Sequence, residues 1–303
     1  MPDGTHLRYE GTVVPDCWDV REWRANGVLE RSARPAIAWA EVGVCDAPMT
    51  YEERVAYIID NFFGKKRETR LRELDEEVEE KRLRSLRSAA RRAKTMCRRV
   101  IITEGFNELL TLTYRENQTD RELCKQHFNI WFKRMRRALG TFRFCASFER
   151  QDRGAMHIHV ATHKLPQHAD YKGVKIEAWK LGTRIWRDIV GPDNGLCFVG
   201  GKTKWGKSRR TRMGLAKMAA YVSKYILKDF EQAPMETNRY SRSNGTQVGK
   251  VHHMRLKCTL RELIDVTFEQ GEGDVVIAHR VSKWSDGLWL CTESPPPAIK
   301  HLA

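Results

Sequence analysis

Hydrophobic and polar residues alternate along residues 142–163 in a pattern typical of a β-hairpin. Two runs rich in apolar and β-branched residues flank a short polar stretch, Gln151 to Gly154. Glycine at the end of that stretch permits the backbone angles that a tight turn requires. The pattern therefore predicts two antiparallel strands joined by this turn.

The second strand of this hairpin carries two histidines. His157 and His159 are two residues apart, so they share one face, while Ile158 and Val160 face the core. Folding the hairpin about its turn brings Glu149 opposite His157. Two imidazoles and a carboxylate on one face suit a divalent metal ion with positions open for water or substrate. We expect a metal site at these three residues; a half-exposed polar face is the alternative.

The pattern along the remaining chain predicts an α+β fold. A strand, a helix, the hairpin, a helix, a strand and a helix follow one another, which fits a central antiparallel sheet with helices packed on it. Three segments are expected: an N-terminal accessory region with helices (1–99), a central domain (100–250) and a small C-terminal accessory region (251–303). Helices are expected at 50–62, 65–99, 120–139, 175–188, 214–230 and 260–269, and further strands at 100–102, 109–114, 195–199, 275–281 and 288–291.

The pattern assigns no element to residues 1–48. Residues 65–99 form the longest of the predicted helices. The apolar spacing of the long helix breaks near its middle, which argues against one continuous coiled coil. Its second half, Arg82 to Arg99, contains no acidic residue. A solvated helix with one docked stripe explains this composition, and a helix for the DNA backbone or for dimerisation is the alternative.

The predicted helix at 214–230 carries two tyrosines beside its apolar stripe. Tyr221 and Tyr225 lie one turn apart, and each has a lysine three residues later, Lys224 and Lys228. A neutral phenol is a poor nucleophile at pH 7, but nearby ammonium groups favour the phenolate and neutralise phosphate. Together with the histidine pair, these residues are candidates for nucleophilic chemistry on a phosphate; simple packing is the alternative.

The charge of the chain points to a polyanionic partner. Its 54 lysines and arginines exceed its 39 acids, giving a formal net charge of +15, which favours nucleic acid ahead of a membrane. The first residues show neither the basic stretch nor the apolar run of a signal peptide, so we expect none, and no apolar run is long enough to span a bilayer. Its eight cysteines include no C-x-x-C pair, so we expect free thiols in a reducing, cytoplasmic environment.

A basic stretch, residues 202–212, precedes the tyrosine helix. Such a loop can follow a phosphate backbone and stack a base, although a solvated loop is the alternative. Gly201 to Ser208 also fits the P-loop pattern, but the four residues that follow, Arg209 to Arg212, place cations where the N-terminus of a helix favours anions. The residues expected to contact DNA are Lys202, Lys204, Trp205, Lys207, Arg209, Arg210 and Arg212.

Taken together and in order, these motifs resemble those of the HUH endonucleases, specifically the rolling-circle replication initiators (Rep proteins) of phages and small plasmids. Leu109 to Tyr114 resembles their first strand motif, His157 to His159 is the His-hydrophobic-His motif, and Tyr221 to Lys228 resembles the two-tyrosine motif of phage-type initiators. Asn238 to Gly245 is similar to the basic strand that often follows. The resemblance covers residues 98–250, and the basic stretch before the tyrosine helix departs from the family pattern.

The resemblance implies metal-dependent nicking and joining of single-stranded or hairpin origin DNA. Mg²⁺ or Mn²⁺ would polarise the scissile phosphate, and a tyrosine would attack it to leave a 5′-phosphotyrosyl link and a free 3′-OH. Host helicase and polymerase are the implied partners, and the oligomeric state is left open. A transposase or relaxase of the same superfamily, or a non-catalytic DNA-binding protein, are the alternatives; relaxases tend to place their tyrosine before the histidines, the reverse of the order here.

Overall fold

A computed structural model describes residues 6–202, 208–209, 214–228, 238–269, 274–282 and 287–294. The chain divides into two compact units. The first contains residues 1–23, 29–85 and 251–295, and the second contains 24–28, 86–250 and 296–303. Each unit is therefore built from separate stretches of the sequence.

The described residues form an α+β protein, as the pattern predicted. The helices are α1 (Tyr51–Asn61), α2 (Gly64–Glu104), α3 (Arg121–Leu139), α4 (Ala178–Val190), α5 (Leu215–Lys228) and α6 (Leu260–Phe268). The strands are β1 (His6–Ala25), β2 (Val28–Cys45), β3 (Glu108–Tyr114), β4 (Phe144–Arg150), β5 (Met156–Thr162), β6 (His168–Tyr171), β7 (Val174–Glu177), β8 (Gly195–Val199), β9 (Gly201–Lys202), β10 (Ser208–Arg209), β11 (Tyr240–Arg242), β12 (His252–Lys257), β13 (Val275–Val281) and β14 (Leu288–Glu293).

The second unit is organised around a five-stranded antiparallel sheet in the order β11-β4-β5-β3-β8. The predicted hairpin forms its centre as β4 and β5. Gly154 closes the turn with φ of 88°, a conformation that favours glycine, and its N–H donates to the carbonyl of Gln151 at 2.8 Å. This turn fixes the register of the two central strands.

One face of this sheet packs against α3 and α4. Its core contains Phe128, Trp131, Phe144, Ile158 and Trp186, each of which is almost fully buried. The indole of Trp131 donates to the carbonyl of Gly182 at 3.0 Å, so the tryptophan satisfies its polar atom while it fills the core.

The other face of the sheet is covered by α5 and by the last part of α2. Val222 of α5 is fully buried, and its carbonyl accepts a hydrogen bond from the Ser147 hydroxyl at 2.7 Å. The sulfur atoms of Cys97 in α2 and Cys145 in β4 lie 3.5 Å apart as thiols. Sheet and helices thus fix α5 above the centre of the hairpin.

The first unit contains a second five-stranded sheet, in the order β12-β1-β2-β14-β13. Strand β12 pairs with Cys17 to Glu22 of β1, although the two strands are more than 200 residues apart in sequence. The core of this first unit includes Trp18, Val20, Leu263 and Leu288. Residues 251–295 therefore share this unit with the start of the chain, whereas the sequence pattern separated the two as accessory regions.

Several predicted elements are wrong in detail. Val100 to Ile102 form the last turns of α2 and not a strand, and α2 runs unbroken from residue 64 to 104. Their β-branched side chains favour a strand, but all three are fully buried by tertiary packing, which overrides that preference. Residues 6–45, which had no assigned structure, form β1 and β2, so the beginning of the N-terminal region is not helical.

Candidate active site

The hairpin presents one polar face toward α5. Glu149 pairs with His157 across the strands, as the sequence predicted, and His159 lies between Ser147 of β4 and Thr111 of β3. The Thr111 hydroxyl lies 3.4 Å from Nδ1 of His159. On the opposite face, Ile158 and Val160 are fully buried, so the alternation of β5 separates the polar face from the core.

Glu149 is held by two hydrogen bonds. One carboxylate oxygen lies 2.9 Å from Nε2 of His159, and the other accepts from Nζ of Lys228 at 3.0 Å. Burial raises the pKa of Glu149, but the hydrogen bonds from His159 and Lys228 outweigh it and hold that pKa below its usual value. Lys228 also lies 3.4 Å from Asp152, and its hydrogen bond with Glu149 raises the pKa of the ammonium group. The carboxylate is therefore charged and paired.

The two tyrosines of α5 lie against His159. The Tyr225 ring stacks on the imidazole with centroids 4.1 Å apart and planes at 9°, and the Tyr221 ring meets the same imidazole edge-on at 5.6 Å. The tyrosine rings are themselves 5.4 Å apart. The Nζ atom of Lys224 lies 4.4 Å from the Tyr221 ring centroid and 4.7 Å from that of Tyr225.

Burial distinguishes the two tyrosines. Tyr225 is 7% exposed, whereas Tyr221 is only partly buried. Burial, together with the hydrogen bond to Tyr221, raises the pKa of the Tyr225 phenol far above its ordinary value. The lysine spacing does not rank the two tyrosines, since each has its own lysine, but in the sequence Tyr225 lies nearer the apolar stripe of the helix and Tyr221 lies deeper in the lysine stripe. The structure also separates the lysines: Lys224 contacts both rings, and Lys228 contacts the carboxylate.

The donor types on this face match the predicted metal site, but their atoms are not arranged as a ready-made ligand set. In the parts of the chain that the structure describes, no group of three or more His, Cys, Asp or Glu side chains is positioned to hold a metal ion. The rings of His157 and His159 have centroids 6.5 Å apart, and His159 and Glu149 hydrogen-bond to each other. The carboxylate suits Mg²⁺ or Mn²⁺, whereas imidazole is a more usual ligand of transition metals, so the mixed set fits Mn²⁺ better than Mg²⁺, provided that the hydrogen bond between His159 and Glu149 opens.

Most of the predicted DNA contacts lie outside the described residues. This holds for Lys204, Trp205, Lys207, Arg210 and Arg212. Lys202 and Arg209 lie in the short antiparallel pair β9 and β10, of which the structure describes the backbone.

Sequence reasoning did not single out Thr111 and Ser147, which flank His159. A signal was present for the first of them. Thr111 alternates with Leu110 and Leu112, both of which are fully buried, so period-two spacing already places the threonine on the polar face. Ser147 becomes recognisable only when the register of the hairpin is known.

A cleft of about 700 Å³ lies at the β11 edge of the same sheet, away from the tyrosines. Lys125 and Asn129 of α3 line it together with Tyr240 and Arg242 of β11. None of its lining residues belongs to the candidate active site. Among the described residues, no helix is long and apolar enough to cross a membrane.

Comparison with known proteins supports a role in replication. Residues 107–230 match the family model of replication-associated protein ORF2/G2P. The matched range runs from β3 to the residues just after α5, so it contains every residue of the polar face described above. No curated protein and no solved structure matches the chain. The family match supports a replication initiator of the Rep type.

Proposed function

We propose that this protein starts rolling-circle replication by nicking and rejoining single-stranded DNA at an origin, in the manner of the HUH endonucleases. The observation that carries the proposal is the packing of Tyr221 and Tyr225 against His159, whose imidazole is hydrogen-bonded to Glu149. Two potential nucleophiles, a charged carboxylate and two ammonium groups lie on one face. The match to a replication-associated family over the same residues supports the same conclusion.

In the proposed reaction a tyrosine oxygen attacks phosphorus. The bond between the tyrosine Oη and phosphorus forms as the bond between phosphorus and the 3′ oxygen breaks, and the phenol loses its proton. The strand is left with its 5′ phosphate on the protein and, once the leaving oxygen takes a proton, with a free 3′-OH. That hydroxyl primes a host polymerase while a host helicase opens the duplex. Attack by a 3′-OH on the phosphotyrosine reverses the step and rejoins the strand.

The residues of the site have separate roles in this scheme. Lys224, which lies over both tyrosine rings, stabilises negative charge on the phenolate and on the phosphate. His157, His159 and Glu149 would hold Mg²⁺ or Mn²⁺, which supplies polarisation of the phosphate oxygens. Lys228 keeps the Glu149 carboxylate charged and oriented. The second tyrosine accepts the strand in a later transfer and releases a circle.

A covalent trapping experiment tests the proposal. The protein is incubated with Mn²⁺ and 5′-labelled single-stranded oligonucleotides of random sequence, and adducts are detected on a denaturing gel and mapped by mass spectrometry. We expect a protein–DNA adduct on Tyr221 or Tyr225 that carries no label, because the 5′-labelled fragment is released with its 3′-OH. The adduct should be lost in the Tyr221→Phe/Tyr225→Phe variant and should form normally in a Tyr171→Phe control. DNA binding with no adduct under any metal would contradict nicking and favour a non-catalytic DNA-binding protein.

The histidines and the carboxylate provide the second arm of the test. His157→Ala should abolish nicking and keep DNA binding, because the metal acts on the phosphate whereas basic residues carry the affinity. Glu149→Gln should weaken the affinity for the metal ion. The control is His253→Ala, which changes an exposed histidine of the first unit. Thermal melting of each variant separates loss of activity from loss of folding. If a His157→Ala/His159→Ala variant nicked DNA at the wild-type rate, the proposed metal site would be contradicted.

A further inference from the structure

The first unit exposes an unusual amount of apolar surface. Of the 24 large hydrophobic side chains that are exposed among the described residues, 19 belong to this unit, although it is the smaller of the two. Seven of them lie on the outer ribbon, which we define as residues 6–16 of β1 with residues 34–45 of β2. They are Leu7, Tyr9, Val13, Ile37, Trp39, Val42 and Val44.

The outer ribbon has an apolar face. Leu7, Tyr9 and Val13 alternate with polar residues, so they share one side of β1. Gly11 lies on the same side between them, and a Cβ atom at this position would come within 2.8 Å of the Ile37 side chain and 3.0 Å of the Trp39 side chain. Ile37 and Trp39 of β2 therefore meet Leu7, Tyr9 and Val13 of β1 on one surface, on which the Trp39 side chain is 66% exposed. Val42 and Val44 differ in parity from Ile37 and Trp39 and are not counted on this face.

The outer part of β1 pairs with no described strand other than β2. Strand β12 pairs with β1 only from Cys17 to Glu22, so it ends before the ribbon begins. Two-stranded ribbons are marginally stable in water unless their apolar face packs against something, and contiguous exposed apolar surface of this kind usually marks an interaction site. We therefore expect the apolar face of the outer ribbon to pack against a partner.

Charge decides what kind of partner fits. The outer ribbon contains two arginines and three carboxylates, so it is close to neutral in a chain with a formal net charge of +15. A polyanion such as DNA has no cation cluster to bind here. Two copies of a chain this basic repel one another over most of their surface, and the neutral ribbon is a place where they can approach.

We propose that the apolar faces of two outer ribbons pack against each other about a two-fold axis, which makes the protein a homodimer. Such an interface is isologous, because the same surface of each copy contacts itself. Half-exposed side chains of this size contribute on the order of 500 Å² per copy, against about 800 Å² per partner in a standard interface. The ribbon accordingly supplies most of a dimer interface of modest affinity, and the proposal stands independently of the nicking activity.

Sedimentation equilibrium on the full chain tests the dimer, in buffer of high ionic strength and without DNA. We expect a concentration-dependent dimer whose dissociation constant rises about tenfold or more in Trp39→Gln, because central tryptophans dominate interfaces. The matched control is Trp179→Gln, which changes an exposed tryptophan of the second unit and should leave the dimer intact. A wild-type chain that stays monomeric up to about 100 µM, far above the dissociation constants of specific complexes, overturns the proposal.

Hydrogen exchange locates the interface in the wild-type protein, and so keeps the test decisive if Trp39→Gln folds poorly. Amides of residues 6–16 and 34–45 should become more protected as protein concentration rises through the dimer transition. A dimer with unchanged exchange in the ribbon would place the contact elsewhere and overturn the proposal. Ribbon protection that requires added DNA, and not added protein, would do the same.

Discussion

The candidate site differs most from its sequence description at the level of single residues. In the sequence each tyrosine, Tyr221 and Tyr225, has a lysine three residues later, so this spacing does not rank them, and one hypothesis is that both are competent and alternate in successive transfers. In the structure, Tyr225 stacks flat on the His159 imidazole and is 7% exposed, whereas Tyr221 is more accessible. Under the proposed mechanism, we therefore expect an incoming phosphate to reach Tyr221 without displacing the histidine.

This asymmetry gives a prediction for the first cleavage. Tyr221→Phe should reduce the initial rate of adduct formation by about tenfold or more, which corresponds to about 1.4 kcal/mol in the barrier. Tyr225→Phe should keep the first adduct and lose the later transfer that circularises the strand. Single-turnover trapping, followed by a circularisation assay, measures both steps.

Equal loss of the first adduct in the two single variants would show that the tyrosines are interchangeable in attack. Complete loss in Tyr225→Phe alone would assign the first attack to the buried tyrosine. In that case the stacked arrangement must open before the reaction begins.

At the scale of elements, the contact between α4 and the sheet is tight enough to restrict one backbone position. The Trp186 indole donates to the carbonyl of Thr113 at 2.9 Å and covers Gly195 at the start of β8. A Cβ atom at Gly195 would lie 2.6 Å from the indole ring and 2.8 Å from the Thr113 carbonyl oxygen. No side chain fits there without displacing the helix.

We therefore predict that Gly195→Ala destabilises the protein by about 1–3 kcal/mol through overpacking. Each kcal/mol corresponds to a fall of about 2–4 °C in melting temperature for a unit of this size. Calorimetry of the wild type, of Gly195→Ala, of Trp186→Phe and of the double variant forms a double-mutant cycle, which measures the interaction free energy between the two positions. If the clash involves the indole, the glycine substitution should cost less in the Trp186→Phe background; additive costs would refute that origin.

The elements that the sequence predicts correctly are those in which one periodicity dominates. Strand β5 alternates histidines with buried Ile158 and Val160, and Gly154 fixes the turn, so the register that pairs Glu149 with His157 was predictable. Helix α5 followed equally from its apolar stripe.

Tertiary partners decide the elements that the sequence did not reveal. Strand β1 contains Pro15 and a left-handed Asp16 with φ of 49°, which interrupt its alternation. Within the site, the contact between Lys228 and Glu149 joins residues 79 positions apart, and no local spacing indicates it.

At the scale of the whole molecule, the excess of positive charge predicts binding to DNA that weakens with salt. The basic stretch before α5 concentrates cations next to the tyrosines in the sequence. Neutralising Lys204, Lys207 and Arg210 to Gln should flatten the slope of log affinity against log salt by about 2 units for single-stranded DNA, since each phosphate contact contributes about 0.7. Fluorescence anisotropy over a range of salt concentrations measures the slope.

The first unit supplies a control with the same change in net charge. Arg70, Arg72 and Lys81 of α2 form ion pairs with glutamates of the same helix, at exposed positions. Their replacement by Gln should leave the slope near the wild-type value. An equal effect of both triple variants would mean that net charge alone governs binding, and that the basic stretch makes no specific contact.

The pairing of β12 with β1 has a consequence for how the protein is made. A ribosome adds about 5–20 residues per second, so β1 and β2 wait on the order of ten seconds or more before β12, α6 and the last strands emerge. Residues 86–250, which form nearly all of the second unit, leave the exit tunnel before then and can fold first. A nascent chain that ends at residue 250, and is arrested through a linker long enough to bring that residue out of the exit tunnel, should thus already carry a protease-resistant core around the tyrosine helix, while its first strands stay open to digestion.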